Sequence, residues 1–252
     1  MKDISPPHVI TPEQRRQSLV RAGLVTVAFT ALVWWIHFFN WFLDANFQRL
    51  GVRPGDVDGL IGLLTAPLIH GDWEHLVANT PALVILGTLT LYSYPRASKL
   101  VIPLVWVGSG LGIWLFGQSG TTHFGASGLT HGLMFFLFVI GILRKDRRAT
   151  AISMAVFFLY GSMVMTIFPR EVGISWEAHL FGAVVGLVLA ILLRAQDPLP
   201  PRKTYEWEEQ PEEEDPVIGD LWRKKPGAVE VIEPDEDDEG FPISGDDEER
   251  WH

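Results

Sequence analysis

The 252-residue chain has no cysteine. That excludes disulfides, thiolate metal centres and a cysteine nucleophile, and leaves the redox compartment open. It also lacks a His-Glu-x-x-His string. His70, Asp72, Glu74 and His75 lie close together, but without that spacing a metallopeptidase-type zinc helix is not expected. Neither a metal nor another cofactor is anticipated, and nothing points to a nucleic-acid partner. No cleavable signal peptide is apparent. The first apolar run begins about twenty residues in and is too long for a signal core, so it reads as a retained signal anchor.

Charge is scarce in one long region. Between Leu19 and Leu193 apolar runs recur that are long enough to cross a bilayer, which reads as membrane helices rather than core helices. Six segments are expected: about 19–43, ending in an aromatic cluster (Trp34, Trp35, Phe38, Phe39, Trp41, Phe42) suited to the headgroup boundary, then about 75–92, 100–116, 127–143, 149–168 and 176–193. The loop 44–73 carries a turn signal, Arg53-Pro54-Gly55-Asp56. Its second half, Gly59–Ile69, is apolar but too short to span, so an interfacial or re-entrant course is expected.

The net charge of −10 averages two unlike parts. Residues 1–195 hold fourteen Lys+Arg against ten Asp+Glu, whereas residues 196–252 hold six against twenty. Basic residues at Arg15, Arg16, Arg21, Arg96, Lys99, Arg144–Arg148, Arg194, Arg202 and Lys203 all fall on one side of the six-segment alternation. The positive-inside rule makes that side cytoplasmic, with both termini there. The expected organisation is a disordered lead-in (1–18), a membrane domain (19–195) and an acidic tail (196–252). That tail is too polar to bury a core, so disorder is expected. Its Leu221-Trp222-Arg223-Lys224-Lys225 string is a candidate cytoplasmic partner motif, against the plainer reading of a solvated tail.

Polar residues collect at one end of the segments. Ser127 sits in Gly125-Ala126-Ser127-Gly128, where a polar loop becomes an apolar helix. Such a string is by itself weak, since Ser and Gly also suit a helix N-cap. His179 lies at the matching end of segment six, and His75 and Asn79, one turn apart, open segment two. Intramembrane ionisable groups are functional candidates by default. A serine hydroxyl needs a base, and histidine is the usual one. The Asn79 amide, a His75 ring N–H and the Ser127 backbone N–H are candidate oxyanion donors. No carboxylate is suitably placed for a triad. Gly128 and Gly132, like Gly182 and Gly186, form Gly-x-x-x-Gly faces that let two helix backbones approach, which would bring Ser127 and His179 together. Gly108, Gly110 and Gly112 read as packing residues, and His123 as a loop histidine.

On these residues the chain resembles the rhomboid family of intramembrane serine proteases. The matching pieces are Gly125–Gly128 for the nucleophile motif, His75-Leu76-Val77-Ala78-Asn79 in segment two, and Ala178–Gly186 for the base with its glycines. Thr65–Trp73, with His70, resembles the end of the family's first loop. The resemblance covers about residues 19–195. It implies an all-α polytopic bundle of six transmembrane helices, followed here by the disordered acidic tail, with an outward-opening, water-filled cavity. It further implies a Ser127–His179 dyad, His75 and Asn79 at the oxyanion, and substrate contacts at Gly125, Ala126 and His131. The substrates would be transmembrane proteins, cut within or beside a helix inside the lipid bilayer. A bacterial plasma membrane is the expected location, with an organelle membrane as the alternative. Two departures stand out: His131 replaces a tyrosine that in many members lies four residues after the nucleophile and stacks on the catalytic histidine, a stacking His131 is also able to make, and the first loop lacks a Trp-Arg pair, Arg53 being the nearest basic residue. A catalytically silent client-binding protein of the same fold is the alternative function. A transporter fits less well, because the polar groups gather at one end rather than at the midplane.

Overall fold

A computed structural model of the chain describes residues 11–169 and 175–199. The start of the lead-in, most of the loop before segment six, the acidic blocks and the Leu221–Lys225 motif lie outside the described residues. Among the described residues six helices are long and apolar enough to cross a membrane: α1 (Pro12–Phe42), α2 (Trp73–Ser93), α3 (Ser98–Phe116), α4 (Ser127–Arg144), α5 (Arg147–Tyr160, continued by a 3-10 stretch Gly161–Ile167) and α6 (Trp176–Leu193). Among the described residues there is no strand, only an isolated bridge between Val52 and His123. The chain is an all-α integral membrane protein.

Two expected boundaries move. Helix α1 begins at Pro12, inside the lead-in read as disordered. Thr11 accepts from the Gln14 N–H while the Gln14 side chain accepts from the Thr11 N–H, and Pro12 stands at the first helical position. That reciprocal cap satisfies two otherwise orphaned donors and starts the helix early. At the other end, order continues past residue 195 to Leu199. Asp197 is only 5% exposed, and its carboxylate accepts from the Arg96 and Ala97 N–H groups at 2.9 and 3.0 Å. Helix α3 has no side-chain cap of its own at Ala97, so a residue a hundred positions away supplies the acceptor. Arg144 completes the clasp by donating to the carbonyls of Arg194, Asp197 and Pro198. Asp197→Ala leaves two part-buried or buried N–H groups unpaired and is expected to lose about 1–3 kcal/mol. Thermal unfolding in detergent checks this, with Asp197→Asn expected to lose less because one acceptor survives.

Helix α4 is the central element, touching α2, α3, α5 and α6. Its Leu133, Phe136, Leu137 and Ile140 are fully or almost fully buried, so lipid-facing positions fall mostly on the surrounding helices. Helix α1 packs on α2, where Trp34 donates to Thr80 at 2.9 Å. The α3 glycines act in packing. A side chain at Gly112 would overlap Phe181 of α6, and one at Gly108 would press on Val185.

The loop 44–72 is a chain of tight helical turns, Phe47–Leu50 and then Val57–Leu68. Arg53–Asp56 forms the expected turn, with Gly55 at φ +71°. The Arg53 guanidinium bonds Asp56 at 2.8 Å and holds its carboxyl below the usual carboxylate range. Trp106 of α3 donates to the Leu64 carbonyl, and Trp114 to that of Asp56. These bonds fasten the loop to α3 and so fix one wall of the region around Ser127.

Candidate active site

Helix α4 starts at Ser127 with Ala126 as its N-cap. As the first helical residue, Ser127 has a backbone N–H with no intrahelical acceptor. The loop before it is held in place from two sides. The Gly125 N–H donates to the Ala66 carbonyl at 2.8 Å, and the Ala126 N–H points to His70 Nε2 at 3.5 Å. Burial, and then the neighbouring His75 and His37 rings, push His70 down to about 3. It therefore stays neutral and keeps the lone pair that accepts from Ala126. His70 Nδ1 has no partner among the described residues.

Gly125 has φ +117°, and a side chain there would strike His75 Cε1 at 2.6 Å. Both the backbone angle and the close ring explain why this position takes glycine. Gly125→Ala is expected to displace His75 from the Ser127 loop and slow any Ser127 chemistry by about ten- to a hundredfold. The rate of Ser127 labelling by a fluorophosphonate reagent measures it. Asn79 is buried one turn below and donates Nδ2 to the His75 carbonyl at 3.0 Å.

Helices α4 and α6 meet through glycine. A side chain at Gly182 would overlap the Gly128 backbone carbonyl, and one at Gly186 the Gly132 carbonyl. This close approach puts the Ser127 turn against the His179 turn. His179, 6% exposed, bonds the Thr166 carbonyl through Nδ1 at 3.0 Å. A carbonyl can only accept, so the proton is on Nδ1 and Nε2 carries the lone pair. The His179 ring lies flat on His131, with centroids 3.9 Å apart and planes within 8°. His131 in turn bonds the Ser127 carbonyl through Nδ1 at 2.7 Å and the Thr166 hydroxyl through Nε2 at 2.8 Å. Among the described residues no hydrogen bond joins Ser127 Oγ directly to His179. The two residues are connected through His131. Such bonds are often long before substrate binds.

A search over family models matches the Rhomboid domain at residues 58–196, more than half of the chain. This chain belongs to the rhomboid family. It is also 35% identical over 195 residues to an uncharacterized protein of Mycobacterium tuberculosis, covering 74% of this chain and 81% of that one. A Mycobacterium bovis protein matches to the same extent. An uncharacterized Mycobacterium leprae protein is 34% identical over 202 residues, covering 77% of this chain and 78% of the relative.

Within this rhomboid domain two of the three expected substrate-contact residues, Ala126 and His131, are buried. Ala126 is fully buried, and its N–H is turned to His70. His131 is 3% exposed, has both ring nitrogens engaged and lies beneath the His179 ring. Gly125 alone remains half-buried. The space beside it is a cavity of about 20 Å³, bordered by Ala66, Ser109, Gly125, Gly128 and Ala178, which is room for about one water. A larger recess of about 470 Å³ lies between the end of α1 and the start of α2, lined by Asn40, Asp44 and Trp73 among others, and none of the four expected catalytic residues borders either space. The 57–68 turns account for the small volume, since Ala66 sits directly on the Gly125 backbone.

Sequence reasoning missed Thr166 altogether and treated His123 as an ordinary loop residue. His123 bonds Thr121 and Ser175, each at 2.7 Å. It thus ties the loop before α4 to the N-cap of α6, and burial holds the ring below its ordinary value.

Proposed function

We propose that this rhomboid-family protein is an intramembrane serine endopeptidase that hydrolyses a peptide bond in or beside the transmembrane helix of another membrane protein. The observation that carries the reading is the His179 tautomer. With Nδ1–H on the Thr166 carbonyl, Nε2 is left as the lone pair a general base requires, one glycine contact away from the Ser127 turn. In this reading Ser127 Oγ attacks the scissile carbonyl carbon while its proton passes to His179 Nε2. The carbonyl oxygen becomes an oxyanion facing the Ser127 N–H, the His75 ring and the Asn79 amide. Collapse breaks the C–N bond, and His179 returns the proton to the leaving amine. Water, deprotonated by the same ring, then hydrolyses the acyl-Ser127 ester and restores the hydroxyl.

The substrate helix has to unwind locally, because a helical peptide bond is shielded by its own side chains and hydrogen bonds. Small or helix-breaking residues at the cut are therefore favoured. We place the basic end of the bundle and both termini in the cytoplasm of a bacterial cell, on the charge distribution, with the Ser127 end near the outer headgroups. The acidic tail is then available to a cytoplasmic partner. The test is incubation of the purified protein, in detergent and in vesicles, with a labelled transmembrane substrate. Cleavage by wild type that disappears in Ser127→Ala supports the reading. A wild type that binds membrane-protein clients without cutting them, and whose Ser127 resists fluorophosphonates, would move the assignment to a silent client-binding rhomboid.

A further inference from the structure

Thr166 engages both active-site imidazoles with two different atoms. Its carbonyl accepts from His179 Nδ1 at 3.0 Å, and its hydroxyl lies 2.8 Å from His131 Nε2. The sequence explains why that carbonyl is free. The 3-10 stretch Gly161–Ile167 ends here, and the N–H that would pair with Thr166 in a 3-10 register belongs to residue 169, a proline. Proline has no N–H, so the 3-10 partner is missing, and among the described residues the carbonyl takes its donor from His179. The hydroxyl direction is restricted by the β-branched side chain. On the far side of the His131 ring, Nδ1 donates to the Ser127 carbonyl. A neutral His131 therefore presents a lone pair at Nε2, and the Thr166 hydroxyl, which donates to the Met163 carbonyl at 2.8 Å, lies at the same distance from that lone pair, so its one proton is shared between the two acceptors.

From this geometry we propose that Thr166 is a positioning residue for the Ser127–His179 dyad: its carbonyl fixes the tautomer and plane of His179, and its hydroxyl holds the His131 platform on which that ring lies. The inference rests on the protease reading above. It deepens that reading by giving the dyad a third member, a main-chain carbonyl, where a triad would have a carboxylate. Because carbonyl and hydroxyl belong to one stiff residue, the two rings are held parallel at stacking distance. Both the base and the turn bearing the nucleophile thus depend on the end of α5.

The experiment compares wild type, Thr166→Val, Thr166→Ser, His131→Phe and Ser127→Ala on one labelled transmembrane substrate. Fluorophosphonate labelling of Ser127 is followed in parallel, since it needs no substrate helix, and folding is checked by melting temperature. Thr166→Val keeps shape and carbonyl but loses the hydroxyl. It is expected to lower kcat about ten- to a hundredfold, the range a misplaced catalytic group produces, with KM nearly unchanged and labelling slowed in proportion. Thr166→Ser is expected to recover most of that loss. His131→Phe, which keeps the stacked ring without its two bonds, is expected to match Thr166→Val and serves if that variant does not fold. An inactive Ser127→Ala alongside a Thr166→Val with wild-type kcat and labelling rate overturns the positioning role and leaves the protease reading intact. A Thr166→Val loss confined to KM, or a Thr166→Ser as slow as Thr166→Val, overturns it too. Persistent cleavage by Ser127→Ala overturns both.

Discussion

Ser127→Ala and His179→Ala are each expected to abolish cleavage of a transmembrane substrate, and the double variant is expected to be no worse than either single one. A nucleophile and its base act as one unit, so removing either leaves only what binding and the oxyanion donors contribute. In soluble serine proteases such single losses are on the order of 10⁶-fold in kcat. The same non-additivity is expected here if His179 is the one base serving Ser127. His131 bonds the Ser127 carbonyl, but both its nitrogens are occupied, by that carbonyl and by the Thr166 hydroxyl. His75 and Asn79 variants should lose less, at about 10²–10³-fold for one oxyanion donor. Single-turnover kinetics with the four variants separate the two classes. Equal, modest losses across all four would remove the dyad from the mechanism.

The second large effect is structural. Gly182→Val should unseat α6 from α4 and cost both stability and activity. A Cβ at Gly182 runs into the backbone carbonyl of Gly128, and one at Gly186 into that of Gly132. Neither obstacle is a side chain that can swing aside, so the helices have to separate. Overpacking a tight contact costs about 1–3 kcal/mol, and the extra methyls of valine place this substitution at the upper end. The separation also moves the His179 turn away from the Ser127 turn, so the activity loss should exceed the fraction unfolded. Gly23→Ala is the control: nothing lies within 4 Å of the position, and alanine favours a helix. Melting temperature in detergent and Ser127 labelling together read the outcome. A stable, fully reactive Gly182→Val would show that the glycine face does not set the geometry.

Much of this architecture was legible in the residues. Apolar run length gave six helices because lipid demands that a spanning segment satisfy its own backbone and expose apolar side chains, and α2, α3, α4 and α6 begin and end within a few residues of the expected positions. The ends that shifted did so for reasons outside hydropathy. Thr11 and Gln14 start α1 early through a cap, and Asp197 is drawn in to serve a helix that lacks a cap of its own. The polar end of the bundle was equally visible as Ser, His, His and Asn against an apolar background.

What the linear chain determined, then, is which segments span, which glycines permit close helix contact, and which few polar groups share one depth. All of these follow from local chemistry and repeat spacing. Only the folded chain decided how those groups are held. Thr166 became a partner of two histidines because α5 ends in a 3-10 turn before Pro169. His131 became a buried platform because Ser127 and Thr166 take its two nitrogens. The 57–68 turns leave only about one water's volume beside Gly125, where Ala66 rests on its backbone. Contacts between residues 13 to 59 positions apart leave no periodic trace in a sequence; they exist only once the helices have packed.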